Sequence, residues 1–192
     1  QAMQNAQKIK FDTTFYGVHG TPTTFALEKA MVEIEGGYRA ISVSSGLAAI
    51  TTALISSLKA GDHLLMVDSV YGPTRNFCNT TLKNFGIETT YYNPLIGEHI
   101  EDLIKPETKV IFTESPGSYT FEIQDIPKIV EKAHKHNVKV MIDNTWSAGY
   151  YFKPFDFDAV IAFSLIALKL RPGGSINPFC EPLIVTSTPH LS

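Results

Sequence analysis

The 192 residues, 44% hydrophobic and 18% charged, suffice for one substantial buried core and place the chain among globular proteins of one domain or a large part of one. A net charge of −3 with Lys and Arg scattered along the chain gives no footprint for nucleic acid or an anionic membrane surface, and favours a small-molecule partner. No apolar run reaches bilayer length and the opening QAMQNAQKIKFD lacks a signal-peptide core, so the cytoplasm is the expected compartment. Cys78 and Cys180 stand far apart with no CxxC or Cys/His spacing, which points away from both a disulfide framework and a zinc site. The first residue is Gln1 rather than Met, which leaves room for sequence upstream.

TPTTFALEKAMVEIEGG is the first predicted element. Phe25, Leu27, Ala30, Met31 and Ile34 recur near helical spacing, Thr21 or Thr23 can cap the start, and Gly36-Gly37 can end it. YRAISVSSG follows as a short strand that turns into LAAITTALISSLKAG, a helix so apolar that several of its faces must be buried. Next come DHLLMVD as strand, YGPTRNFCNTTLKNFG as helix, IETTYY and TKVIFTE as strands, IPKIVEKAHKHN as helix and VKVMID as strand. His134 and His136 fall at the solvated end of the last helix.

Continuous apolar strands that alternate with helices predict an α/β fold, a mostly parallel sheet flanked by helices. After residue 158 this rhythm is lost, and the last thirty or so residues read as an irregular, Pro-rich tail. In open α/β sheets ligands bind beyond the carboxyl ends of the strands. Four strand ends carry polar residues: Ser44-Ser45-Gly46, Asp68-Ser69-Val70-Tyr71, Glu114-Ser115-Pro116 and Asp143-Asn144-Thr145.

These loops suggest a chemistry. SSGLAA places small residues and free backbone N–H groups at a helix N-terminus, a site suited to phosphate or simply an ordinary N-cap. Asp143, an acid at the end of a buried strand, needs a cationic or hydrogen-bonding partner, or else it caps the next turn. Tyr71 offers a ring for stacking and a phenol for proton transfer, or else it packs. Phosphate cup, stacking ring and carboxylate are what pyridoxal 5′-phosphate (PLP) asks of a protein, together with a lysine to hold its aldehyde; Lys169 in IALKLRPGGS is the candidate. A Rossmann-type nucleotide site lacks its GxGxxG after the first strand.

HGTPTTFALEKAMVEIEGG, SVSSGLAAI, DSVYGPTR, TESPGS and VMIDNTWSAGYYFKPFDF together resemble the PLP-dependent enzymes of cysteine and methionine metabolism, over about Phe15 to Phe157. HGTPT and DNTWSAG are closer to the beta-type carbon–sulfur lyases than to the gamma-type members. The resemblance implies the large PLP-binding domain of the fold type I, aminotransferase-like class, with residues 1–22 a partial N-terminal segment, 23–165 the PLP-binding domain and 166–192 a divergent tail. It further implies that the relatives' C-terminal domain is missing and that the chain forms a homo-oligomer, dimer or tetramer. Ser45, Gly46, Leu47 and Thr145 would hold the cofactor, with the phosphate on the Gly46 and Leu47 amides. Tyr71 would stack and move protons, Asp143 would pair with the pyridine nitrogen, and Lys169 would hold the cofactor and act as base.

The implied reaction is cleavage of cystathionine to homocysteine, pyruvate and ammonia, a step of methionine biosynthesis. Tyr16 matches a residue that reaches a partner subunit's cofactor in relatives, whereas Val18 stands where they carry Arg, and Ile166 and Leu168 stand where hydroxyls are expected around the lysine. Two alternatives stay open: a copy that keeps the cofactor-domain fold without the chemistry, and a gamma-type lyase or synthase.

Overall fold

A computed structural model describes residues 17, 20–159, 161–166 and 181–186. The first helix, α1 (Pro22–Glu35), starts at Thr21, whose hydroxyl accepts the Thr24 N–H while Thr24 Oγ1 accepts the Thr21 N–H at 2.8 Å. This reciprocal cap, with Pro22 in the first turn, settles the start on Thr21 rather than Thr23. Gly36 ends the helix at φ 76°, a left-handed conformation that glycine reaches without a Cβ penalty.

Strand β1 (Arg39–Ser42) then leads to α2 (Gly46–Ser57), β2 (His63–Val67) and α3 (Gly72–Phe77), which continues as a π-helical stretch over Cys78–Leu82. β3 (Glu88–Tyr92), a 3-10 turn at Gly97–Leu103, β4 (Thr108–Glu114), α4 (Ile126–Lys135) and β5 (Lys139–Asp143) follow. A 3-10 turn at Pro154–Phe157 precedes β6 (Ile161–Ile166) and β7 (Glu181–Thr186). Each strand and helix predicted from the sequence up to Asp143 is present, within a few residues at its ends.

The seven strands form one sheet in the order β1-β7-β6-β5-β4-β2-β3. β3, β2, β4, β5 and β6 pair in parallel, and β7 runs antiparallel to both β1 and β6. The irregular reading of the sequence after residue 158 therefore contains two sheet strands. β7, antiparallel to its neighbours, needs no crossover helix, and β6, parallel to β5, follows a connection whose described helical element is the short 3-10 turn Pro154–Phe157, so neither shows the strand-helix alternation of the earlier strands.

Every residue of β2 is buried, as are Val110, Ile111 and Phe112 of β4 and Val140, Met141 and Ile142 of β5. Strands this apolar on both faces need a helix layer on each side. α2 contributes Ala49, Ile50, Ala53 and Leu54 to the main core, and α4 contributes Ile126, Ile129, Val130 and Ala133. At the strands' amino ends His63, 1% exposed, is held between Thr108 Oγ1 and Thr90 Oγ1, each at 2.8 Å from a ring nitrogen. Burial, helped by the Lys105 charge, pulls its pKa down, so the ring is neutral there.

From β2 the chain steps to β3 on one side, then to β4 on the other. That reversal opens a crevice at the carboxyl ends of β2 and β4, the place where open α/β sheets take their ligands.

Candidate active site

A cleft of about 340 Å³ lies at this crevice, lined by Ser45, Gly46, Leu47, Ile50, Tyr71, Glu114, Ser118, Asp143, Thr145 and Trp146. The fold thus brings together six of the residues singled out from the sequence: Ser45, Gly46, Leu47, Tyr71, Asp143 and Thr145. Tyr16 and Lys169 lie outside the described residues, as does Val18.

One wall is the N-terminus of α2. Ser45 is its N-cap: its hydroxyl accepts the Ala48 N–H at 3.0 Å and its carbonyl accepts the Ala49 N–H at 3.0 Å. Of the amides at the helix start, those of Gly46 and Leu47 are the ones this cap does not take. A twelve-residue helix with no acidic side chain in its first turn presents the positive end of its dipole to the cleft. The ordinary N-cap and the phosphate-cup readings of SSGLAA are therefore compatible, because Ser45 does the capping and the next two amides remain.

The opposite end is acidic. Asp143, last residue of β5, accepts the Thr145 N–H on Oδ1 at 3.0 Å, and burial pushes its pKa above the ordinary carboxylate value. Beside it Glu114, the last residue of β4 and 3% exposed, accepts the Tyr71 N–H at 2.8 Å on one oxygen and the Ser118 hydroxyl on the other. Burial first, and the Asp143 charge second, push Glu114 up to about 7. Among the described residues that line the cleft none is Lys, Arg or His, so the two carboxylates have no cation of their own there.

Tyr71 forms the side wall, with Gly72 and Pro73 starting α3 directly after it. Arg75, one turn into α3, binds Asp68 Oδ1 at 2.6 Å and lies 4.0 Å over the Tyr91 ring, which fastens the helix to the sheet edge. At the mouth, Trp146 meets Phe121 edge to face at 5.5 Å. Behind Trp146 a second, apolar cavity of about 400 Å³ opens between Pro116, Ile123, Tyr151 and Phe152.

Behind the Asp143 turn, Asn144 is buried and donates to Glu35 Oε2 at 3.2 Å and to the Phe152 carbonyl at 3.1 Å. This ties the loop to the end of α1. Gly149, at φ +71, lies so close to Glu35 that a Cβ would meet its carboxyl carbon at 2.8 Å.

The arrangement suits a flat, dipolar ligand. An anionic group fits the Gly46–Leu47 amides, an aromatic ring fits the Tyr71 face, and a protonated ring nitrogen would relieve the raised carboxyl group of Asp143. The donor set present therefore fits PLP. Sequence reasoning gave Glu114 and Ser118 no role. The available signal was positional, since Glu114 ends an apolar strand as Asp143 does.

Residues 1–165 match the pattern of the family described as Cys/Met metabolism PLP-dependent enzyme. The cystathionine beta-lyase of Haemophilus influenzae is 51% identical over 150 residues, 77% of this chain and 38% of the relative, and that of Escherichia coli is 42% identical over 145 residues, 74% and 37%. Among solved structures, cystathionine gamma-lyase from Lactobacillus plantarum complexed with L-serine superposes with a TM-score of 0.80 at 33% identity, covering 88% of this chain and 44% of that one. The chain spans about 40% of the length of the curated relatives it matches. No described helix is long and apolar enough to cross a membrane.

Proposed function

The chain belongs to the PLP-dependent enzymes of Cys/Met metabolism, and on that premise we propose that it carries the cofactor half of a carbon–sulfur lyase active site, acting on cystathionine to give homocysteine, pyruvate and ammonia in methionine biosynthesis. The observation that carries this reading is the meeting of the Gly46 and Leu47 amides, the Tyr71 ring and the Asp143 carboxylate in one cleft at the switch point of the sheet. Residues 23–165 form the cofactor domain in this proposal, flanked by 1–22 and 166–192.

When bound, the cofactor supplies an electron sink for the charge left as the substrate loses its alpha proton. The chain's own residues set up that step. Gly46 and Leu47 N–H groups take the phosphate, with Ser45 and Thr145 at its margin. Asp143 stays ionised against a protonated ring nitrogen and keeps the proton on it. Tyr71 holds the ring plane and offers its phenol for proton transfer, and Lys169 takes the alpha proton and returns it to the departing thiolate.

A homo-oligomer in which Tyr16 reaches a neighbouring subunit's site completes the proposal. The beta-type rather than gamma-type reaction is favoured by the identity to beta-lyases over 74% to 77% of the chain. A non-catalytic copy is the second reading, supported by Val18 in place of a phosphate-binding Arg. Pyruvate release from cystathionine with added PLP separates the two. Turnover above a no-protein control that is lost in Lys169→Ala supports the lyase; cofactor uptake without turnover supports the non-catalytic copy.

A further inference from the structure

Among the described residues that line the cleft, Glu114 is the one charged group to which neither the family resemblance nor the reaction assigns a task. Its position is unusual for a carboxylate: it is buried, its register partner across β4 and β5 is another acid, Asp143, and both its oxygens are engaged by the loops that wall the cleft. One bond goes to the backbone of Tyr71, on the turn after β2; the other goes to Ser118, on the loop after β4. The two walls also pack against each other, Gly117 on Ser69 and Gly72 near the Tyr119 hydroxyl, and a side chain bonded to both fixes how the Tyr71 backbone sits against the Ser118 loop.

We propose that Glu114 is a positioning residue for the cofactor: one carboxylate ties the Tyr71 backbone to the Ser118 loop and so sets the height of the Tyr71 ring above the floor formed by Asp143. This deepens, and rests on, the reading of the cleft as a PLP site.

The geometry also makes the tie depend on charge. Both recorded bonds have Glu114 as acceptor, the pattern of an ionised carboxylate, and charge-assisted bonds are roughly twice as strong as neutral ones. The groups facing it are Asp143 from β5, Tyr71 from the β2–α3 turn and Ser118 from the loop after β4. Burial first and Asp143 second oppose its ionisation and the two donors favour it, with the balance near neutrality, at about 7. A protonated ring nitrogen seated on Asp143 brings positive charge to the neighbouring strand end, which favours ionised Glu114 and tightens the hold on Tyr71. Cofactor binding and Glu114 ionisation therefore reinforce each other.

The test uses the full chain and its single tryptophan, Trp146, at the mouth of the cleft as a fluorescence probe of added PLP. Glu114→Ala cuts the tie, while Glu114→Gln keeps an acceptor for the Tyr71 N–H but cannot ionise. The expected result is PLP affinity about tenfold weaker in Glu114→Ala. Glu114→Gln restores most of it, and the ratio of wild-type to Glu114→Gln affinity rises between about pH 6 and about pH 8. In ¹⁵N spectra of the ligand-free chain the Tyr71 amide titrates with a midpoint near 7 in wild type and is flat in Glu114→Gln. Saturable quenching in wild type with Glu114→Ala unchanged, or a Tyr71 amide that does not titrate, overturns the proposal alone. No saturable quenching in wild type overturns the PLP reading and the proposal with it.

Discussion

Glu114 and Asp143 are register partners, the last pair of β4 and β5, so two acids end neighbouring buried strands on the floor of one cleft. Each is held above its ordinary pKa, and in the ligand-free chain that is a stability cost at neutral pH. For Glu114 the folded value of about 7 exceeds the ordinary 4.5, so the unfolded chain sheds this proton first. Its contribution is fully present below about 4.5 and is lost as pH rises through about 7. Glu114→Gln therefore raises the ligand-free Tm at about pH 8, by several degrees, and the gain disappears near pH 4.5. Thermal melts of both proteins at the two pH values check this.

His63 has the opposite slope. Its folded pKa lies below the ordinary 6.5, so its stabilising effect is complete above 6.5 and is lost as pH falls through the folded value. A proton on the ring turns its one acceptor nitrogen into a second donor, so the hydroxyl that had donated to it must rotate to accept. Urea midpoints measured on the acid side of neutrality fall for wild type and stay flatter for His63→Gln.

Gly149→Ala tests how the Asp143 loop is held. The new methyl group meets the Glu35 backbone at 2.9 Å and its carboxyl group at 2.8 Å, in a left-handed conformation that alanine adopts only with strain. A loss of about 2 to 4 kcal/mol is expected in chemical unfolding, and the displaced loop weakens PLP uptake as well.

Ser45→Ala removes the hydroxyl that caps α2 at the Ala48 amide. About 1 kcal/mol of stability goes with it. PLP affinity falls by less than in any variant of Asp143, because the Gly46 and Leu47 amides are backbone groups that survive the change.

The strands and helices that build the site were legible because each follows a period that its burial requires. MVDSVYGPTR and VKVMIDNTW announce both an apolar strand and the polar residue at its end, and the sheet order then brings those ends together. β7 was not legible, since an antiparallel return strand leaves no crossover helix as a marker. Glu114 was visible as a strand-end acid, but its task depends on the register with Asp143 and on loops that fold back from Tyr71 and Ser118, which no local pattern encodes. The divergence around Lys169, with Ile166 and Leu168 beside it, is legible as sequence, and Lys169 lies outside the described residues.

Equilibrium dialysis of PLP against wild type and Asp143→Ala bears most directly on the whole reading, since the acid at the end of β5 is what the ring nitrogen would meet. The account predicts that affinity drops by about thirtyfold or more when that partly buried charge partner is removed. Equal uptake by the two proteins would contradict it.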